Sequence, residues 1–131
     1  MLVVNRSEAL ELLEEGAREV GPAGLCRRLA SLGPGKVVLT LGAEGALHFN
    51  GTELEHADAF PVTSVDSTGA GDAFAAALGV LRAEGARLKD AVRFACAAGA
   101  LATTTPGAMP SLPQREAVDA LVRRRGRGAR G

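Results

Sequence analysis

Val65-Asp66-Ser67-Thr68-Gly69-Ala70-Gly71-Asp72-Ala73-Phe74 sets two glycines around an alanine just ahead of an apolar stretch. That pattern starts a helix on a turn able to approach a ligand closely. The first N–H groups of a helix lack internal acceptors, and the aligned peptide dipoles add partial positive charge, so a phosphate can be bound there without a lysine. Asp72 is the one acid beside such a phosphate. Its carboxylate could take a proton from an attacking hydroxyl, a role worth on the order of a hundred- to ten-thousandfold in rate. The same carboxylate would also favour a helix start by charge alone, and a bare Gly-Ala-Gly-Asp leaves both readings open.

Other phosphate-binding loops do not fit. A Walker A loop needs a lysine and a hydroxyl after its last glycine, where Asp72 and Ala73 stand. A dinucleotide fingerprint needs a small residue at the place of Phe74 and an acid near Val92. No protein-kinase catalytic loop and no nucleophile-elbow serine occurs.

Composition narrows the class further. The chain has 131 residues, 47% hydrophobic and 23% charged, which suits one globular domain. Fifteen basic residues balance fifteen acidic ones, and Trp and Tyr are absent. Neither a nucleic-acid footprint nor an aromatic stacking platform follows from that. The longest apolar runs, Ala73 to Leu81 and Phe94 to Ala102, fall short of the roughly twenty residues of a membrane span. The opening residues do not read as a signal peptide. Cys26 and Cys96 form no short-spaced pair, so reduced thiols in a cytoplasm are expected.

Outward from the motif, strands and helices alternate. Leu2-Val3-Val4 reads as a buried strand delivering Asn5 to its carboxyl edge, and a helix follows with Ser7 as its cap. After Gly21-Pro22, Leu25, Leu29 and Leu32 mark a second helix, and Lys36 to Leu41 a buried parallel strand. Ala46 to Phe49 and Glu53 to His56 flank Asn50-Gly51, a strong hairpin signal. His48 and His56 read as surface strand residues, with no third ligand spaced for a metal.

After Phe60-Pro61-Val62 comes the small-residue helix begun by the motif. Another is predicted over Leu88 to Ala102, and a last one opens at Pro113. The fold class is α/β, a mostly parallel sheet with an antiparallel hairpin. Asn5, Gly42 and Asp72 each follow a predicted strand and are expected on one ligand edge. Residues 122–131, with Arg123, Arg124, Arg125, Arg127 and Arg130 among glycines, read as a disordered basic tail.

Val65 to Phe74 resembles the second signature of the PfkB sugar kinases. The ribokinase branch of that family also shows Asn-x-x-Glu, Thr-x-Gly-x-x-Gly and a late Gly-Ala-x-Pro-Ser, matching Asn5 to Glu8, Thr40 to Gly45 and Gly107 to Ser111 in the same order. The resemblance implies a ribokinase-like three-layer α/β/α sheet. It implies ATP-dependent phosphorylation of a sugar hydroxyl, ribose first, with fructokinase or another sugar kinase as the alternative.

Asp72 would then be the base, and Gly69, Ala70 and Gly71 with Asp72 the anion hole. Asn5, Thr40, Leu41, Gly42, Ala43, Glu44 and Gly45 would border ATP, with Cys96 near adenine. Glu8 would hold Mg²⁺ through water. Asp66, Thr68, Ala102, Thr105, Gly107 and Ser111 would surround a monovalent cation, K⁺. The family is about twice this length, so residues 1–121 are expected to be its carboxyl-terminal nucleotide half, without the sugar-binding half. Such a chain would self-associate or need the missing half. A non-catalytic module that binds nucleotide or a partner is the alternative from a different class.

Overall fold

Leu2-Val3-Val4 forms the strand its apolar run predicts: the computed structural model, which describes residues 1–13, 19–104 and 113–130 without the side chains of 125–130, has β1 at Leu2–Asn5. The chain divides into two compact units, Met1–Asp58 and Ala59–Gly131.

In the first unit, β1 pairs in parallel with β2 (Val37–Thr40), so that Asn5 lies beside Thr40 at the carboxyl ends of both strands. β3 (Ala46–Phe49) runs antiparallel to β2, and β4 (Leu54–Ala57) antiparallel to β3, giving the order β1-β2-β3-β4. The sheet formed by these strands is therefore mixed, with one parallel and two antiparallel pairings. Asn50 makes the hairpin turn: its side-chain oxygen accepts from the N–H groups of Thr52 and Glu53 at 2.9 and 2.8 Å, an Asx-type turn.

Helices α1 (Arg6–Leu12) and α2 (Pro22–Ser31) pack on the sheet. Proline stands in the first turn of α2, where its missing N–H costs nothing. The core gathers Val4, Ala9, Leu25, Cys26, Leu29, Val37 and Leu39, alternate strand residues meeting helical residues at three- and four-residue spacing.

Three expectations change. The cap of α1 is Asn5, not Ser7: Asn5 Oδ1 accepts from the Glu8 N–H at 2.8 Å, and Glu8 Oε1 accepts from the Asn5 N–H at 2.9 Å. This reciprocal capping box satisfies two backbone donors at once, which a serine two residues later could not do. His48 is a buried residue, 4% exposed, and not a surface one. β3 is an interior strand, and its register puts His48 opposite Val38, itself fully buried. Finally, the strand expected ahead of Asp72 is absent, since residues 58–69 form none; Pro61 has no N–H to give a ladder.

In the second unit, α3 (Ala70–Ala83), α4 (Leu88–Ala102) and α5 (Arg115–Arg130) pack in sequence, α4 against both others. Residues of α4 are buried almost all round, half of the buried ones alanines, and that lets neighbouring backbones approach closely. Arg115 binds Glu84 through two hydrogen bonds of 2.6 and 2.8 Å, fixing the start of α5 at the end of α3. This pair holds the Glu84 carboxyl below its usual range. The helix runs on to Arg130, where the sequence suggests a disordered tail. Arginine is a good helix former, and the five arginines between residues 123 and 130 offset part of the cost of Gly126 and Gly128.

Candidate functional site

The segment before α3 is a folded turn with each anchor identifiable. Asp66 Oδ1 accepts from the Thr68 N–H at 2.8 Å, and Ser67 O accepts from the Ala70 N–H at 3.2 Å. Gly69, the residue preceding the helix, has φ 83°, a left-handed conformation that a side chain would oppose. The first bond of the helix proper is Ala73 N–H to Gly69 O at 3.0 Å. The N–H groups of Gly71 and Asp72 fall between these two bonds, at the open end of a fourteen-residue helix. Asp72 is exposed in that first turn. Of the expected anion-hole donors, Ala70 is therefore engaged inside the turn, whereas Gly69, Gly71 and Asp72 do not donate in either of these two bonds.

Thr103, just past α4, holds this segment. Its carbonyl accepts from both Val65 and Asp66 N–H groups, at 2.7 and 3.0 Å. That brings the backbone of Asp66 to the end of the helix containing Ala102. Thr105, Gly107 and Ser111, the other expected cation ligands, lie outside the described residues, as does the rest of the Gly-Ala-Met-Pro-Ser stretch. Cys96 is on α4 and only 8% exposed, so little of its surface is open to an adenine.

In the first unit, the carboxyl ends of β1 and β2 open into a cavity of about 290 Å³ lined by Asn5, Arg6, Ser7, Thr40, Leu41, Gly42 and Glu44. Parallel pairing produces it by ending both strands at the same level. After β2 the chain makes a 3₁₀ turn over Gly42–Glu44. Leu41 N–H bonds Gly45 O at 2.8 Å, Gly45 N–H bonds Gly42 O at 3.1 Å, and Gly42 and Gly45 both have positive φ, 60° and 91°. His56 Nε2 lies 2.6 Å from the Glu44 carbonyl, and its Nδ1 lies 3.2 Å from Asp58 Oδ1.

The structure thus brings Asn5, Thr40, Leu41, Gly42 and Glu44 together at one cavity, with Ala43 and Gly45 in the same turn but not among its lining residues. Glu8 is joined to Asn5 through the capping box. Among the described residues, no group of three or more His, Cys, Asp or Glu could hold a metal by itself. Arg6 and Ser7 are lining residues that the motif comparison passed over. Their signal was position alone, directly after a strand end.

The mixed sheet with flanking helices and a glycine-led helix start define an α/β protein. Residues 1–115 match the pfkB family of carbohydrate kinases, and the chain belongs to that family. It is 39% identical over 92 residues to the ribokinase of Bacillus subtilis (strain 168), covering 70% of this chain and 31% of that one. It is 40% identical over 84 residues to fructokinase-2 of Solanum habrochaites, covering 59% and 26%. The solved ribokinase of Arabidopsis thaliana, complexed with ribose and ATP, superposes with a TM-score of 0.78 at 31% identity over 92% of this chain and 40% of that one. The fold is ribokinase-like, and the chain spans less than half the length of these relatives.

Proposed function

We propose that these residues bind ATP and promote transfer of its terminal phosphoryl group to a sugar hydroxyl, ribose foremost, with Asp72 as the general base. The observation that carries this is the start of α3. Gly71 and Asp72 present backbone N–H groups, and the Asp72 carboxylate stands beside them, within the signature of a sugar-kinase family. A carboxylate there removes the hydroxyl proton as the new O–P bond forms, and the N–H groups meet the charge gathering on the phosphoryl oxygens. Little covalent work is left for the protein beyond positioning.

The cavity of the first unit is the proposed nucleotide site. The capping box uses one atom of each partner, leaving Asn5 Nδ2 to donate to a phosphate and Glu8 Oε2 to accept from a water. Those free atoms suit Mg²⁺ held through its hydration shell, which supplies charge neutralisation between the phosphates. A lone exposed carboxylate fits that better than direct coordination. Asp66, Thr68 and Ala102, with Thr105, Gly107 and Ser111, are the proposed surroundings of K⁺, whose effect would be to firm the turn before α3. The B. subtilis ribokinase and the Solanum fructokinase are about equally similar to this chain, so fructose is the second sugar. ATP as donor and two cysteines outside any disulfide favour the cytoplasm as the setting.

The chain covers 31% of a ribokinase, which favours a division of labour: these 131 residues bind nucleotide, and turnover needs sugar-binding residues supplied from elsewhere. Calorimetric titration with MgATP, alongside ADP release in the presence of ribose or fructose, tests this. Binding without turnover by the 131-residue chain is expected. Absence of MgATP binding would remove the nucleotide assignment, and phosphorylation of ribose would remove the division of labour.

A further inference from the structure

Seven residues line the cavity at the ends of β1 and β2, and only two of them are charged: Arg6 and Glu44. An anionic ligand entering there meets one attractive and one repulsive group. The two currently face each other, Arg6 Nη2 lying 3.9 Å from Glu44 Oε2, with 53% and 74% of their side chains exposed. A pair at that distance in solvent is held loosely and exchanges easily for a better partner. A phosphate is such a partner, because the planar guanidinium donates two parallel charge-assisted hydrogen bonds to it.

From this geometry we infer that Arg6 is a polyphosphate-binding residue of the cavity and that Glu44 competes with the ligand for it. The assignment rests on reading the cavity as a nucleotide site, and it adds a contact outside the family motifs. Glu44 can release Arg6 without disturbing the turn it belongs to. Its carbonyl is bonded to His56 Nε2 at 2.6 Å and its N–H to Leu41 O at 3.2 Å, so the backbone stays while the exposed carboxylate swings outward. Arg6 is placed as firmly at its backbone, following the Asn5 cap at the end of β1. The ligand class is a nucleoside polyphosphate, recognised here through its phosphates.

Opposite signs are therefore expected from the two residues. The full chain is titrated with ATP, inorganic tripolyphosphate and adenosine, as wild type, Arg6→Ala, Arg6→Lys and Glu44→Gln, with melting temperatures measured for each. Arg6→Ala should weaken ATP and tripolyphosphate about tenfold and leave adenosine unchanged, as for loss of a charge-assisted hydrogen bond. Arg6→Lys should recover part of that loss. Glu44→Gln should tighten both phosphate ligands a few-fold, and no variant should shift the melting temperature. Unchanged ATP binding in Arg6→Ala, or no gain in Glu44→Gln, overturns the inference while leaving the nucleotide reading intact. If tripolyphosphate binds through Arg6 and ATP binds no more tightly, the Arg6 contact stands and the nucleotide reading falls. If neither phosphate ligand binds the wild-type chain, both fall.

Discussion

The role proposed for Asp72 is one that a single oxygen-to-nitrogen exchange can isolate. Asparagine keeps the size and the hydrogen bonding of the side chain but cannot accept the hydroxyl proton. In an enzyme that contains these residues with a sugar-binding portion, Asp72→Asn should lower turnover by about a hundredfold or more with ATP affinity nearly kept, the pattern of a lost transition-state interaction. Steady-state kinetics beside an ATP titration reads both numbers. A second residue, Cys26, links fold to pH. Burial pushes its thiol from 9.0 up to about 11, with Arg27 opposing weakly. The folded state therefore holds the thiol proton more tightly than the unfolded chain does. Stability from this source is complete below pH 9 and is lost as pH rises toward 11. Urea midpoints at pH 8, 10 and 11 should fall more steeply for the wild type than for Cys26→Ala.

Among the elements, the pair α3 and α4 carries the proposed phosphate-binding turn, and Gly99 lies where the two meet. A Cβ placed there would lie 3.3 Å from the Ala70 carbonyl and 3.6 Å from Phe74 Cβ. Gly99→Val should therefore push the first turn of α3 away from α4, although the helix itself gains a side chain. Circular dichroism should show helicity retained while phosphate or ATP binding weakens by about tenfold, the scale of a displaced hydrogen-bond donor; unchanged binding would mean that the turn tolerates the shift.

Most elements were legible because their causes are local. The α4 span of Leu88–Ala102 follows from its apolar periodicity, and the hairpin from Asn50-Gly51, although its second strand is Leu54–Ala57 and so begins and ends one residue later than expected. What needed tertiary knowledge was not legible. His48 is buried because β3 became an interior strand, and Arg6 reaches a cavity because parallel pairing sets Asn5 beside Thr40. The Asn5 to Glu8 motif was recognised, but its reciprocal capping was not, since the same two side chains suit a ligand equally well.

At the scale of the whole molecule, the edge position of β1 in its sheet matters most. Among the described residues β1 has one hydrogen-bonded neighbour, β2, and it is apolar from Leu2 to Val4, while Met1 beside it is 50% exposed. An apolar strand with one open side is a template for another strand. The chain should accordingly self-associate, or take up a partner that supplies a strand, and sedimentation velocity across a concentration series should show mass rising with concentration. A concentration-independent monomer would contradict this. Neither cysteine is in a disulfide and both are buried, Cys26 in the unit Met1–Asp58 and Cys96 in Ala59–Gly131. Each unit thus carries its own internal clock. A brief pulse of alkylating reagent, followed by peptide mass measurement, would time the opening of the two units separately in one sample, and so reveal whether they unfold together or one after the other.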